Sequence, residues 1–139
     1  MRETSQKSRQ IARDEWYRWM VQSASGFAIF SMDLHNRIVT WNCGAEEVFG
    51  YRRDDVMGEN ARFIFTPTDI AHHVPEKELS TAAEDRCAFD ERWHLRKDGS
   101  RLWVSGLMIG LRERGGLVGY VKVVRDFTEG RHLEEAVRQ

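Results

Sequence analysis

The sequence has few of the residues that mark several large classes of protein. Its 139 residues include only two cysteines, Cys43 and Cys87, in unrelated contexts that fit neither a disulfide framework nor a zinc site. The 21 Lys and Arg nearly balance the 22 Asp and Glu, so no polyanion-binding surface and no nucleic-acid partner are predicted. No apolar run approaches the roughly 20 residues of a membrane span, and the polar start "MRETSQKSRQ" lacks the apolar stretch of a signal peptide. We therefore expect one soluble, cytoplasmic, globular domain.

Catalytic motifs are missing as well. The sequence contains no Gly-rich phosphate loop and no nucleophile elbow, and no Ser-His-Asp or Cys-His arrangement is supported by the spacing. The sequence therefore predicts no catalytic residues and no enzymatic activity.

An amphipathic helix is predicted near the N-terminus, within residues 1–25. Its apolar stripe comprises Ile11, Ala12, Trp16, Trp19 and Met20. Because aromatic residues are enriched at interface hot spots, we predict that this stripe contacts a second copy of the chain. Packing of the helix on its own sheet is the alternative.

The remaining pattern is strand, strand, short helices, then three strands. Two β-rich runs, Phe27 to Met32 and Arg37 to Trp41, flank the turn sequence "DLHN". A helix is predicted from Pro75 to Glu84, and Asp98-Gly99 marks a later hairpin. This order suggests one antiparallel sheet with a face covered by the helical insert.

The strand that begins at Cys87 alternates between a mostly apolar and a polar set of residues. Phe89 and Trp93 belong to the apolar set, and Asp90, Arg92 and His94 to the other. Period-two alternation is typical of a half-buried strand. We expect its apolar face to be the buried one.

Three segments together resemble the PAS family, the sensory domains of signalling proteins. They are "IVTWNCGAEEVFGY", "ERWHLRKDGSRLWV" and "VVRDFTE", in this order and at these spacings. The resemblance implies an α+β fold with a five-stranded antiparallel sheet in the order 2-1-5-4-3 and short helices on one face. It places the PAS domain at residues 26–128, between the N-terminal flanking helix and the start of a C-terminal signalling helix at 129–139.

The resemblance also implies a signalling hinge. In this family "RDFTE" is the point at which the sheet passes into an outgoing helix, and Asp126 and Thr128 suit that position because short polar side chains cap helix N-termini. Leu133 lies on the apolar side of the outgoing helix. Together with the N-terminal stripe, these residues are the predicted dimer and signalling positions.

The segment "GENARF" is most similar to the light-sensing LOV branch of the family. That branch carries its photoactive cysteine where this chain has Ala61. Its three flavin-binding amide side chains align with His94, Val104 and Val124, and a valine offers no donor or acceptor. A buried flavin edge would lose about 1–3 kcal/mol for each missing partner. Cysteinyl-adduct photochemistry is therefore not expected.

Two further residues of this segment do match the branch. Asn60 and Arg62 align with residues that contact the flavin side chain and phosphate, so they join Ala61, His94, Val104 and Val124 as candidate pocket residues. A second phosphate-binding basic residue has no counterpart in "AHHVPEKELS".

His72 and His73 are candidate axial ligands for heme, since heme-binding members place a histidine in this region and imidazole ligates heme iron. A solvated histidine pair before a helix is the alternative. No cofactor is favoured, and no other metal site is predicted.

These observations predict a bacterial, cytoplasmic PAS module for sensing, signal relay and dimerisation. It would couple a ligand or partner to an effector, such as a histidine kinase or a cyclase in cis or in trans, through its flanking helices. Two alternatives remain: a flavin- or heme-binding sensor without adduct photochemistry, and a purely structural dimerisation module.

Overall fold

The computed structural model describes residues 13–22, 24 and 26–128. Two of the predicted signalling residues, Ile11 and Leu133, and the predicted C-terminal helix at 129–139 lie outside the described residues. The other predicted positions are described below.

Five strands form one antiparallel sheet. They are β1 (Phe27–Met32), β2 (Ile38–Trp41), β3 (Cys87–Leu95), β4 (Arg101–Glu113) and β5 (Gly116–Asp126). Their order is β2-β1-β5-β4-β3, and each neighbouring pair is antiparallel. The predicted fold class and strand order are confirmed.

The helices precede the sheet or lie between β2 and β3. Residues 13–22 form helix α1. The insert contains α2 (Cys43–Phe49), α3 (Arg53–Val56), a 3-10 helix (Ala61–Ile64), α4 (Pro67–Ala71) and α5 (Val74–Asp85). Among the described residues, no helix has the length and apolar character needed to cross a membrane.

Short polar side chains set the starts of the insert helices. The Asn42 side-chain oxygen accepts hydrogen bonds from the N–H groups of Ala45, at 2.8 Å, and Ile29, at 2.9 Å, so one residue caps α2 and joins it to β1. Gly50 ends α2 with a φ of 81°, in the left-handed region that favours glycine. Both ends of α2 are thus set by residue types that favour helix caps.

The apolar core fills the space between the sheet and the insert helices. Phe30, Trp41 and Phe49 form an aromatic cluster with ring-centroid distances of 4.9, 5.7 and 6.0 Å. The Trp41 indole N–H donates to the carbonyl of Tyr51 at 3.0 Å, which satisfies its polar atom inside the core.

The prediction for the faces of β3 is wrong. Phe89 is 78 % exposed, whereas His94 is fully buried and faces the helices with Asp90 and Arg92. A polar face can be buried when opposite charges neutralise it. Here α5 and β5 supply these charges, so the polar set of β3 faces inward.

Helix α1 exposes its aromatic residues. Trp16 is 65 % exposed, Trp19 72 % and Met20 55 %. Within the described part of the chain, these side chains are therefore not packed into the core.

Candidate functional site

Charged side chains meet inside the fold, between α5 and the helix-facing side of the sheet. The buried charged cluster consists of Glu78, Asp90, Arg92, His94 and Lys122. Lys122 is at its centre. Its Nζ lies 2.8 Å from Glu78 Oε1, 3.1 Å from His94 Nε2 and 3.9 Å from Asp90 Oδ2. Lys122 is only 1 % exposed, so these contacts replace its hydration.

Strand register brings the cluster together. Alternation along β5 places Lys122 on the helix-facing side, between the buried Tyr120 and Val124. On the neighbouring strands, Asp90 of β3 pairs with Gly106 of β4. A Cβ atom at position 106 would overlap Asp90 Oδ1, so this glycine makes room for the carboxylate.

The cluster continues to α4 through Arg92. The Arg92 Nε donates to Asp90 Oδ2 at 2.6 Å, and its Nη1 lies 3.6 Å from Asp69 Oδ2. Asp69 is in the first turn of α4, where its N–H donates to the capping hydroxyl of Thr66 at 3.2 Å. The cluster therefore joins two helices, α4 and α5, to strands β3 and β5.

His94 is held in its neutral form. The Lys122 ammonium group has only donors, so His94 Nε2 accepts its hydrogen bond and the ring proton is on Nδ1. Burial, and then the charges of Lys122 and Arg92, hold the pKa of His94 well below its ordinary 6.5. The ring of Phe65 lies against both groups, 4.8 Å from the His94 ring centroid and 4.7 Å from Lys122 Nζ.

The pKa of Glu78 is shifted upward, whereas that of His94 is shifted downward. Burial raises the pKa of its carboxyl group above the ordinary 4.5, although Lys122 acts to lower it, and the nearby Asp90 raises it further. A carboxyl group of this kind takes up a proton more readily than an exposed one.

A cavity of about 220 Å³ lies between α5 and β3 beside the cluster, and Glu78, Asp90 and Arg92 are among its lining residues. The cluster is thus next to a space large enough for water or a small ligand.

The structure separates the six candidate pocket residues into two groups. Four lie in the buried core: Ala61, His94, Val104 and Val124. Asn60 and Arg62 are exposed. Asn60 caps the 3-10 helix by accepting from the Arg62 N–H at 3.1 Å, and Arg62 pairs with Glu76 on the surface at 3.5 Å.

His72 and His73 are exposed at the junction of α4 and α5. His72 ends α4, and His73 precedes α5 with a φ of 58°. This placement gives no support to an axial heme ligand in the core. No group of three or more His, Cys, Asp or Glu among the described residues is arranged to hold a metal ion.

The end of β5 is tied to β4 through Thr128. Asp126 Oδ1 accepts from the Thr128 N–H at 3.0 Å and from its hydroxyl at 2.6 Å. The Thr128 oxygen in turn accepts from the Trp103 N–H at 3.0 Å, and Arg96 pairs with Asp126 at 3.3 Å. The two predicted hinge residues are therefore bonded to each other and to the sheet.

Sequence reasoning missed four residues of the cluster as site residues: Glu78, Asp90, Arg92 and Lys122. One signal was available. The predicted last strand places Lys122 on the same face as Tyr120 and Val124, and a lysine between two apolar neighbours on a strand face indicates a buried partner.

Comparison with known proteins gives a consistent result. A family model described as a PAS domain matches residues 25–129. The chain is 34 % identical over 121 residues to Two-component system protein A of Emericella nidulans, and this match covers 87 % of the chain but 18 % of that protein. It is 32 % identical over 109 residues to Sensor protein TdiS of Thauera aromatica, covering 76 % of the chain and 19 % of that protein. The chain thus spans about a fifth of the length of these relatives.

A solved structure agrees on the fold. The PAS domain of a protein from Colwellia psychrerythraea superposes with a TM-score of 0.76 and 24 % identity, covering 83 % of this chain and 97 % of that one.

Proposed function

Because the chain belongs to the PAS domain family, we propose that it is a sensory and signal-relay module whose input is received at the buried charged cluster. The observation that carries this proposal is the position of Lys122 and Asp126 on one strand. Lys122 contacts α5 inside the core, and Asp126, the last residue of β5, accepts a hydrogen bond from the N–H of Thr128.

Strand β5 directly connects the buried charged cluster at Lys122 to the end of the strand at Asp126. Asp126 lies four positions after Lys122, which is about 13 Å along a strand. A change in the contact partner of Lys122 shifts β5 as a whole, because the side chains of a close-packed core move between discrete arrangements and do not deform continuously. A new contact of Lys122 with α5 or with a ligand therefore biases the geometry at Asp126 and Thr128.

The output of this relay is an effector domain, in cis or in trans, in a cytoplasmic two-component system. The names of the two curated relatives, a two-component system protein and a sensor protein, support this choice. The effector that we propose is a histidine kinase. We further propose that the module works as a homodimer through the exposed aromatic residues of α1.

A chromophore is not needed for this function. The positions that would hydrogen-bond a flavin ring in the light-sensing branch are two buried valines and His94, whose Nε2 already accepts from Lys122. A flavin edge at Val104 and Val124 would find no side-chain donor there.

An absorption spectrum of freshly purified protein tests this reading. We expect no band above the protein's own ultraviolet absorption, because Val104 and Val124 offer a flavin ring no donor or acceptor and because His72 and His73 are exposed rather than in the core. A flavin or heme band that persists through gel filtration would replace the proposal with a chromophore sensor. Native mass spectrometry on the same sample tests the other alternative, a purely structural dimerisation module. A specifically bound small molecule would contradict that alternative.

A further inference from the structure

Lys122 lies between two carboxylates that belong to different elements. Glu78 Oε1 on α5 is 2.8 Å from its Nζ, and Asp90 Oδ2 on β3 is 3.9 Å away. We infer that Glu78 and Asp90 are alternative partners of Lys122, and that protonation of Glu78 moves the Lys122 ammonium group from the helix carboxylate to the strand carboxylate. The input of the site is then a proton.

Asp90 has an acceptor available for this exchange. Its Oδ2 is engaged by Arg92, but its Oδ1 is buried over Gly106 and has no hydrogen-bond partner among the described residues. Glu78 Oε2 is also buried without such a partner. Lys122 Nζ lies 3.9 Å from Asp90 Oδ2, the oxygen that Arg92 already engages, so a displacement of about 1 Å gives this oxygen a second charge-assisted hydrogen bond of ~2.8 Å, and Oδ1 is a further acceptor on the same carboxylate.

Burial favours the uptake of a proton by Glu78, whereas the charges of Lys122 and Arg92 oppose it and the charge of Asp90 favours it. The groups that face it are Lys122 from β5, Asp90, Arg92 and neutral His94 from β3, and Asp69 from α4 through Arg92. Strand β4 contributes Gly106 here. Other charged groups near α5 lie outside the cluster: Arg62 of the 3-10 helix pairs with Glu76, Arg112 of β4 contacts the carbonyl of Ala83, and Lys77, next to Glu78 in sequence, lines the cavity. Three carboxylates thus meet two cations, and one bound proton neutralises the set.

The exchange breaks no covalent bond of Lys122. A proton from solvent binds a carboxylate oxygen of Glu78, whose raised pKa agrees with this uptake, while Lys122 keeps its three protons and its charge. The cavity of about 220 Å³ that Glu78 and Asp90 line gives water a place next to the carboxylates.

The consequence is a change in what joins α5 to the sheet. With Glu78 ionised, an ion pair links the helix to β5. With Glu78 protonated, the charged contact lies between β5 and β3, within the sheet. The exchange is a property of the folded domain, and its role as a signalling input rests on the proposed function.

Nuclear magnetic resonance of the chain, labelled at glutamate side-chain carbons and lysine side-chain nitrogens, tests the exchange. During a pH titration we expect the Glu78 carboxyl carbon and the Lys122 Nζ to shift with the same midpoint. Glu78→Gln should fix the Lys122 signal at its low-pH position. Glu84→Gln, which removes the same charge from an exposed site on α5, should leave the titration unchanged.

Asp90→Asn is a second variant that keeps the test valid if Glu78→Gln does not fold. Because the charge of Asp90 raises the Glu78 pKa, its removal should lower the midpoint and reduce the Lys122 shift. A Lys122 signal that stays constant while Glu78 titrates would overturn the exchange, as would a Lys122 transition that persists unchanged in Glu78→Gln.

The full-length protein separates this inference from the proposed function. An effector that responds to its partner or ligand while Lys122 does not exchange contradicts the exchange alone. An exchange in the chain without any pH response of the effector contradicts the proton as a signalling input.

Discussion

Two buried residues of the cluster titrate in opposite senses. The lowered pKa of His94 means that, below pH 6.5, the unfolded chain binds a proton that the folded chain does not, so this residue makes stability fall as pH falls. The raised pKa of Glu78 means that, above pH 4.5, the folded chain keeps a proton that the unfolded chain loses, so this residue makes stability fall as pH rises. Where the two ranges overlap, the two effects oppose each other.

Single variants should therefore uncover opposite slopes of stability against pH. Between pH 4.5 and 6.5, Glu78→Gln should leave the His94 effect, with stability rising by up to about 1.4 kcal/mol per pH unit. His94→Gln should leave the Glu78 effect and a slope of the opposite sign. Urea unfolding at a series of pH values measures both slopes.

The exposed Glu84 again supplies the control, since Glu84→Gln should keep the flatter wild-type profile. If the stability of Glu78→Gln and His94→Gln changed with pH in the same direction, the opposite pKa shifts of Glu78 and His94 in the folded core would be contradicted.

At the scale of the elements, the hinge contact of Asp126 and Thr128 at the end of β5 can be tested with a single substitution. Thr128→Ala removes the oxygen that accepts from the Trp103 N–H and the hydroxyl that donates to Asp126. A lost hydrogen bond of about 1 kcal/mol corresponds to roughly fivefold faster amide exchange at Trp103. Hydrogen exchange followed by nuclear magnetic resonance measures this rate.

Thr128→Ser is the matched variant because it keeps the hydroxyl group, and its Trp103 exchange should stay close to that of the wild type. In the full-length protein, Thr128→Ala should also weaken the response of the effector. An unchanged exchange rate at Trp103 would argue that the hinge bond does not restrain β5.

The elements themselves were largely predictable from local signals. At the ends of α2, the Asn42 side chain accepts from the Ala45 N–H and the Gly50 N–H donates to the Glu46 carbonyl, so the bounds of this helix follow from contacts within a few residues. The burial of one face of β3 was not predictable in this way. Alternation defines two faces, but the choice between Phe89 and His94 depends on Glu78 and Lys122, which are distant in sequence and stable inside only as a pair.

At the scale of the whole molecule, the exposed aromatic side chains of α1 are the surface that the proposed homodimer would use. Light scattering at micromolar concentration should give twice the chain mass. Replacing Trp16 and Trp19, which are 65 % and 72 % exposed, with alanine should lower that mass because large aromatic anchors dominate interface energies.

Arg18→Ala is the control for this experiment, since it changes an exposed, charged residue of the same helix and should leave the mass unchanged. A monomeric wild-type protein would contradict the dimer.

The contact between Gly106 and Asp90 has a consequence for how this sequence can evolve. Since a side chain at position 106 would overlap the Asp90 carboxylate, the two positions cannot change independently. A relative that carries alanine at the position of Gly106 must first shorten or shift the side chain at the position of Asp90, and in doing so it gives up the carboxylate that neutralises Arg92. We therefore expect the two positions to covary across the family, so that an acid at the position of Asp90 predicts glycine at the position of Gly106.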